Sequence, residues 1–222
     1  EGLLLVDTGE TSRIYEVGYL PKGGLYHKAV QTRIEEGEEI QHQLAQLGFK
    51  PTDIRKVVLT HMHGAHIGGL SLFEHCQILV SRAEYEMATS KKGPGNGYFT
   101  KNWPAWFKPS LIEYTDTAEG VFTKSYSITA DDSILAVPTP GHSLGHQSIL
   151  VKDKAITYMI AGDLTYNLDT LRKEIPDVIL MNKAAQETVR TVHQYVKDNP
   201  TVYLSSHDWN AEKLLKDKTT VY

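Results

Sequence analysis

Cysteine, long apolar runs and excess positive charge are scarce or absent in this chain of 222 residues. The single cysteine, Cys76, excludes an intrachain disulfide and a cluster of thiolate metal ligands. No stretch approaches the roughly 18–20 consecutive apolar residues of a membrane span, so we expect no membrane partner. The net charge of -4 offers no basic face to a phosphate backbone, so we expect no nucleic-acid partner.

Short apolar segments alternate with helical and loop segments, and this order predicts an α/β fold. The apolar segments are rich in Val, Ile and Leu and are bounded by Gly, Pro or Asp, as buried strands are. The predicted strands are Leu3–Asp7, Lys56–Thr60, Gln77–Ser81, Ser133–Thr139, Gln147–Lys152, Ala155–Ala161 and Val202–Ser206. A chain of this length is most simply one domain, so we expect residues 1–222 to fold together.

Two segments have the apolar spacing of an amphipathic helix. The first is Glu36–Leu47, with Leu47 on its inward face and Gly48 as the stop. The second is Lys183–Lys197, with Pro200 beyond its end. The chain begins directly in an apolar segment without a Met, so we expect upstream residues to be missing. Whether a signal peptide precedes these residues therefore stays open, and we expect a cytoplasmic location.

Three histidines within six residues follow the apolar run at residues 57–59. His61, His63 and His66 lie where a strand ends and a helix is expected to begin. Imidazole is the commonest side-chain metal ligand near neutral pH. Histidines at this density on a strand-to-helix turn therefore predict a metal site.

Three further strand ends carry residues of the metal-ligand type. His142 follows a Pro-Gly turn, Asp163 follows the apolar segment at 155–161, and His207 lies just past the last predicted strand. Residues at the carboxyl ends of strands in α/β folds converge on one edge of the sheets. Four coordinated placements therefore favour a metal centre over isolated structural histidines.

The histidines, together with Leu5-Val6-Asp7-Thr8-Gly9, resemble the metallo-β-lactamase superfamily. That superfamily has the motif His-x-His-x-Asp-His, then a distant His, an Asp and a last His. The resemblance covers nearly the whole chain. It implies a four-layer αβ/βα sandwich, the metallo-β-lactamase fold, with the N-terminal strand or two missing from this chain. Most members are dinuclear zinc hydrolases.

The resemblance also implies a ligand set for two divalent metal ions. The implied ligands of the first ion are His61, His63 and His142, those of the second are His66 and His207, and Asp163 bridges the two. Asp7 would orient a ligand, and His146 would brace its turn rather than bind metal. Zinc suits such ligands best, although cobalt, manganese and iron also bind them.

Ala65 departs from the superfamily pattern, which has Asp at this position as a ligand of the second ion and a proton carrier. Alanine can do neither, although His66, Asp163 and His207 still give the three protein ligands of an open catalytic site. We expect weaker binding of the second ion and reduced activity. Ala65 is either a natural change or a deliberately introduced one, and the otherwise intact motif slightly favours the second.

Within the superfamily, the segment from Pro140 to Ser148 resembles the Pro-Gly-His-x-x-Gly-His-Gln-Ser of N-acyl-homoserine lactonases, the quorum-quenching lactonases. Tyr166 lies three residues after Asp163, where those lactonases have a tyrosine beside the substrate carbonyl. The resemblance therefore implies hydrolytic opening of a lactone or ester, with Tyr166 and Asp163 as catalytic residues.

An aromatic-rich insertion at about 88–126 interrupts the alternation of strands and helices. After a glycine-rich loop it contains Phe99, Trp103, Trp106 and Phe107, which are candidates for a substrate-binding trough. The alternative is a small satellite core beneath a long loop, and the sequence does not choose between the two.

Other functions stay open. The same metal ligands support hydrolysis of an organophosphate, a thioester or a β-lactam, because the scaffold does not select the substrate. A different class is a non-catalytic protein that binds a signal molecule with a degraded site, in which Ala65 marks the lost activity. A homodimer is also left open.

Overall fold

A computed structural model describes residues 2–20, 33–177 and 183–222, and all the site residues predicted above lie in these ranges. The chain divides into two units. The first contains Glu1–Val80 and Tyr85–Leu111, and the second contains Ser81–Glu84 and Ile112–Tyr222. That residues 1–222 form a single domain stays a prediction.

The first unit is built on a four-stranded sheet. In sheet order its strands are β1 (Leu3–Val6), β2 (Ile54–Val58), β3 (Gln77–Ser81) and β4 (Ser110–Ile112). β1 pairs with β2 and β2 with β3 in parallel, and Val57 and Val58 are both fully buried. Consecutive apolar residues of this kind are typical of a parallel strand that is covered on both faces. The helices in this part of the chain are α1 (Ile40–Gln46), α2 (Gly64–Ile67) and α3 (Arg82–Thr89).

The second unit is built on a five-stranded sheet. Its strands, in order, are β5 (Tyr126–Ser127), β6 (Ile134–Pro138), β7 (Gln147–Asp153), β8 (Ile156–Gly162) and β9 (Thr201–Ser205). β5 to β8 pair antiparallel, and β9 joins β8 in parallel. Its helices are α4 (Leu168–Arg172), α5 (Lys183–Asp198) and α6 (Ala211–Lys216). Val189, Val192 and Val196 of α5 pack in one cluster with Leu150 and Met159 of the sheet.

All seven predicted strands are confirmed, with ends that differ by at most two residues. The predicted helix Lys183–Lys197 is confirmed as α5. The other predicted helix is shorter than expected, because α1 begins at Ile40 rather than Glu36 and ends at Gln46. Leu47 is 72% exposed rather than inward. Gly48 takes a positive φ of 81°, the conformation of a glycine that ends a helix, as predicted for the stop.

The longest helix in the described ranges is α5, with 16 residues. Its inward face is apolar and its other face is polar, the pattern of a helix packed on a core. No helix in the part of the chain that the structure describes combines the length and the apolar character of a membrane span.

Candidate metal centre

Three imidazole rings gather beyond the carboxyl end of β2. His61 follows the strand after two residues, His63 precedes the first residue of α2, and His66 lies within α2. The ring centroids of His61 and His63 are 4.7 Å apart, and those of His61 and His66 are 4.0 Å apart. His61 and His66 are buried. These three histidines, which are close in the sequence, therefore form a compact group of nitrogen donors.

Each of the three rings has one nitrogen beside an oxygen of the first unit. His66 Nδ1 lies 2.8 Å from Asp7 Oδ2, and His61 Nδ1 lies 3.1 Å from Thr60 Oγ1. His63 Nε2 lies 2.9 Å from the carbonyl oxygen of Asn96 in the glycine-rich loop. Such contacts orient metal-binding histidines by fixing one ring nitrogen and turning the other toward the ion. Asn96 was missed by sequence reasoning, because a backbone carbonyl leaves no signature in the sequence.

Asp7 fixes the orientation of His66. It follows β1 with a positive φ of 57°, a conformation that Asp tolerates better than most residues. Its Oδ1 accepts the Thr60 N–H at 2.7 Å, and its Oδ2 accepts the Thr60 hydroxyl at 2.7 Å as well as facing His66. The carboxylate therefore links the ends of β1 and β2 to the ring it positions, which is the arrangement expected for an orienting residue.

In the second unit, one carboxylate oxygen faces two imidazoles. Asp163 follows β8, and its Oδ2 lies 3.5 Å from His142 Nε2 and 3.2 Å from His207 Nε2. Asp163 and His142 are buried, whereas the His207 side chain is 42% exposed. Two nitrogen donors around one shared carboxylate oxygen can hold a divalent ion.

Asp177 is a further carboxylate at this group, and sequence reasoning missed it. Its Oδ2 lies 2.9 Å from Nδ1 of His142, the nitrogen on the far side of the ring from Asp163. One ligand atom each from His142, Asp163 and Asp177 fit within 4.8 Å of one another. Asp177 therefore orients His142 as Asp7 orients His66. No motif surrounds it, so only the fold reveals this contact.

The turn that carries His142 is held by buried polar contacts and close packing. Glu84 is fully buried, and its Oε2 accepts the Ser143 hydroxyl at 2.6 Å and the Gly145 N–H at 3.2 Å. Gly141 has φ +151°, and a Cβ there would lie 2.5 Å from Cα of Ala185 in α5. Both contacts keep the turn in one conformation, which fixes the position of the imidazole.

His146 and Tyr166 complete the described group in the second unit. Nδ1 of His146 lies 3.0 Å from the Thr139 carbonyl oxygen, and its Nε2 accepts the N–H of Asp163 at 3.1 Å. Both ring nitrogens therefore contact the protein, as expected for a residue that braces the turn. The Tyr166 ring stacks on His207 with centroids 5.8 Å apart and is half exposed.

The aromatic residues of the insertion divide between two environments. Phe99 and Trp103 line a small cavity with Tyr19 and Leu20. Its volume of about 20 Å³ suits one water molecule, because a water needs roughly 10–15 Å³ by this measure. Trp106 and Phe107 pack against the apolar core of the first unit, and Trp103 also contacts this core. An acyl chain would enter this region only after side chains move.

Comparisons with known proteins identify the class of this chain. The metallo-beta-lactamase superfamily profile matches residues 1–221. An N-acyl homoserine lactonase of Bacillus cereus is 26% identical over 96% of this chain and 79% of its own length. The lactonase AttM of Rhizobium radiobacter is 30% identical over 76% of this chain and 64% of its own length.

Solved structures agree on the fold. An N-acyl homoserine lactone hydrolase with N-hexanoyl-L-homoserine bound at its catalytic metal centre has a TM-score of 0.76 at 24% identity, covering 96% of this chain and 79% of that one. AidC, a dizinc quorum-quenching lactonase, has a TM-score of 0.64 at 18% identity, covering 95% of this chain and 70% of that one.

The chain belongs to the metallo-beta-lactamase superfamily and has its fold, so the family and fold that the motifs indicated are confirmed. Within that superfamily, N-acyl homoserine lactonases are among its relatives, and it is a metal-dependent hydrolase. The described donors fit this class, because buried imidazoles and carboxylates with oriented ring nitrogens suit divalent ions such as zinc.

Proposed function

We propose that this hydrolase opens the ring of a lactone similar to an N-acyl-homoserine lactone. The observation that carries the proposal is the group in the second unit, where Asp163 is shared by His142 and His207 and Tyr166 stacks on His207. A tyrosine ring next to donors of the kind that bind divalent ions supports this proposal. The lactonase relatives, which match nearly the whole chain at 26% identity, support the same substrate class.

The proposed metal centre contains two divalent ions, preferably zinc. The proposed ligands are His61, His63 and His142 for the first ion, His66 and His207 for the second, and Asp163 between them. Bound ions would polarise the substrate carbonyl and lower the pKa of a water to about 7. Asp7 would orient His66 and Asp177 would orient His142 toward these ions, because each carboxylate contacts Nδ1 of its histidine and leaves Nε2 for the metal.

Tyr166 is the proposed oxyanion donor. Its hydroxyl would donate a hydrogen bond to the carbonyl oxygen as negative charge develops there, an interaction stronger in the transition state than in the bound substrate. The ring is half exposed and is held from one side by His207, so substrate can approach the hydroxyl without displacing a core residue.

Ala65 is the proposed reason for reduced turnover. It lies exposed on α2, between the two histidines His63 and His66. Restoring a carboxylate with Ala65→Asp is expected to raise kcat/KM for a lactone at least about tenfold, equivalent to about 1.4 kcal/mol of transition-state stabilisation. Ala83→Asp, at an exposed position on α3, is the matched control for the added charge and is expected to change kcat/KM less than about twofold.

The experiment that tests the function joins elemental analysis to a substrate panel. We expect close to two divalent ions per chain, and a higher kcat/KM for an acyl-homoserine lactone than for an organophosphate, a thioester or a β-lactam. A preference for one of those three substrates would assign a different hydrolase. Zero or one ion with no turnover, before and after Ala65→Asp, would favour a non-catalytic signal-binding protein.

The proposed substrate trough consists of aromatic residues of the insertion. Phe99 and Trp103, with Trp106 and Phe107 behind them, would contact the acyl chain, and the water-sized cavity requires these side chains to move on binding. A cytoplasmic location and a homodimer stay predictions.

A further inference from the structure

Tyr166 lies in a short turn between β8 and α4, and the hydroxyl of Thr165 spans this turn. Thr165 is fully buried, and its Oγ1 donates to the carbonyl oxygen of Asn167 at 3.1 Å. Asn167 in turn caps α4, because its Oδ1 accepts the N–H of Thr170 at 2.9 Å. Thr165 and Asn167 are the residues directly before and after Tyr166. The backbone of Tyr166 is therefore fixed on both sides, although its ring is half exposed.

The hydroxyl of Tyr203 in β9 holds the Thr165 side chain in place. The two hydroxyl oxygens lie 2.8 Å apart, and because Thr165 gives its single proton to Asn167, Tyr203 is the donor to Thr165. The Tyr203 ring is 1% exposed and belongs to the apolar cluster that also contains Leu164 and Leu168. A buried hydroxyl is unfavourable unless it is hydrogen-bonded. The Tyr203 hydroxyl therefore acts through its bond to Thr165, whereas its ring supplies the packing.

Two further hydrogen bonds join the same turn to the segment that follows β9. The Ser205 hydroxyl donates to the carbonyl oxygen of Thr165, and the Leu168 N–H donates to Asp208 Oδ2 at 3.2 Å. His207 lies between Ser205 and Asp208 in the chain. The two segments that carry the stacked tyrosine and histidine rings are therefore joined on both sides of the stack.

We propose that Tyr203 is a positioning residue for the reaction, because its hydroxyl, acting through Thr165, fixes the Tyr166 ring on His207. The proposal rests on the function proposed above, in which Tyr166 donates a hydrogen bond to the developing oxyanion. Such a donor stabilises the transition state only if it points to the place where the charge develops. A displacement of about 1 Å is enough to lower a rate by roughly 100-fold. Tyr203 therefore sets the rate without contacting substrate.

The first measurement compares two buried tyrosines. Tyr203→Phe should lower kcat for a lactone by about 5–20-fold and change KM by less than about twofold. Tyr195→Phe is the matched control, because Tyr195 is buried in the same apolar cluster and its hydroxyl contacts Glu119 Oε1 at 3.4 Å. It should change kcat by less than about twofold, even where the two thermal midpoints fall equally. An unchanged kcat for Tyr203→Phe, or equal losses in both variants, would overturn the proposal.

The second measurement changes the other partner of the hydrogen bond. Thr165→Val keeps the branched shape without the hydroxyl and should lower kcat about as much as Tyr203→Phe, roughly 5–20-fold. Thr165→Ser keeps the hydroxyl and should retain at least about half of kcat. If the valine variant kept full kcat, or the serine variant lost as much as the valine variant, the hydroxyl of Thr165 would not be the link and the proposal would be overturned.

The third measurement repeats Tyr203→Phe in the Tyr166→Phe background. If Tyr203 acts through the Tyr166 hydroxyl, the loss of kcat should shrink to below about twofold once that hydroxyl is gone, so the two substitutions should not be additive. A loss as large as in the protein that keeps Tyr166 would overturn the proposal, because Tyr203 would then act through another residue of the site.

A fourth readout needs no turnover. A stacked aromatic ring shifts the NMR resonances of the His207 ring protons, and Tyr166→Ala gives their positions without the stack. In the full chain, Tyr203→Phe should move these resonances toward the Tyr166→Ala positions, whereas Tyr195→Phe should leave them in place. Unmoved resonances in Tyr203→Phe would overturn the proposal whatever the substrate is. If they move and no lactone is hydrolysed, the lactone proposal fails while the positioning of Tyr166 by Tyr203 is supported.

Discussion

Replacing Asp7 by Asn tests how the first unit holds His66. The Asp7 carboxylate accepts three contacts on two oxygens, from the Thr60 N–H, the Thr60 hydroxyl and His66 Nδ1. Asparagine fits the left-handed backbone at this position, so the substitution changes chemistry more than conformation. Its amide has only one oxygen. The NH₂ group must therefore face a group that donated a hydrogen bond to the carboxylate.

The expected cost follows from those contacts. An unsatisfied buried donor costs about 1–3 kcal/mol, so Asp7→Asn is expected to lower the free energy of unfolding by that amount. Loss of an orienting partner of a metal-binding histidine typically weakens metal affinity 10–100-fold. We therefore expect a 10–100-fold increase in the dissociation constant of the more weakly held zinc ion, measured by competition with a chromogenic chelator.

Asp53→Asn serves as the control, because Asp53 is an exposed carboxylate of the same unit whose Oδ2 accepts the Lys50 N–H at 2.8 Å. It should leave zinc affinity unchanged within about twofold, since it is not among the residues proposed to hold metal. If Asp7→Asn altered zinc affinity no more than Asp53→Asn, the orienting role of Asp7 would be refuted.

Two further substitutions probe the second unit. Tyr166→Phe should lower kcat for a lactone by about 10–100-fold with little change in KM, because the hydroxyl acts on developing charge; an unchanged kcat would remove Tyr166 from the mechanism. Glu84→Ala should lower the free energy of unfolding by about 3–5 kcal/mol in urea titrations, because it removes the buried acceptor of the Ser143 hydroxyl and the Gly145 N–H. Glu86→Ala, at an exposed position, is the control and should cost less than about 0.5 kcal/mol. Equal costs for the two glutamates would contradict the bracing role of Glu84.

The elements that sequence reasoning found are those with a local signal. β3 and the Val57–Val58 end of β2 have consecutive apolar residues, and α5 has apolar residues at helical spacing, so pattern alone identifies them. β4 was missed because it has only three residues and lies among the aromatic residues and prolines of the insertion. Its strand character comes from its place at the edge of the sheet rather than from its own composition.

The residues of the candidate site also differ in whether they have a local signal in the sequence. The histidine motifs were recognisable because they combine rare residue types with strand ends. Asp177, Glu84 and Asn96 were not, since each acts through a contact with a residue more than 30 positions away in the chain. Residues that orient a ligand depend on tertiary contacts, and a single sequence does not contain that information.

The most direct test of the central claim is anomalous diffraction at the zinc edge from crystals grown with zinc. We expect two peaks roughly 3.5–4 Å apart, as in dinuclear hydrolase sites. One should be bound by His61, His63 and His142, the other by His66 and His207, with Asp163 contacting both. A zinc ion held by the histidines of one unit alone, with those of the other unit binding no metal, would contradict the account.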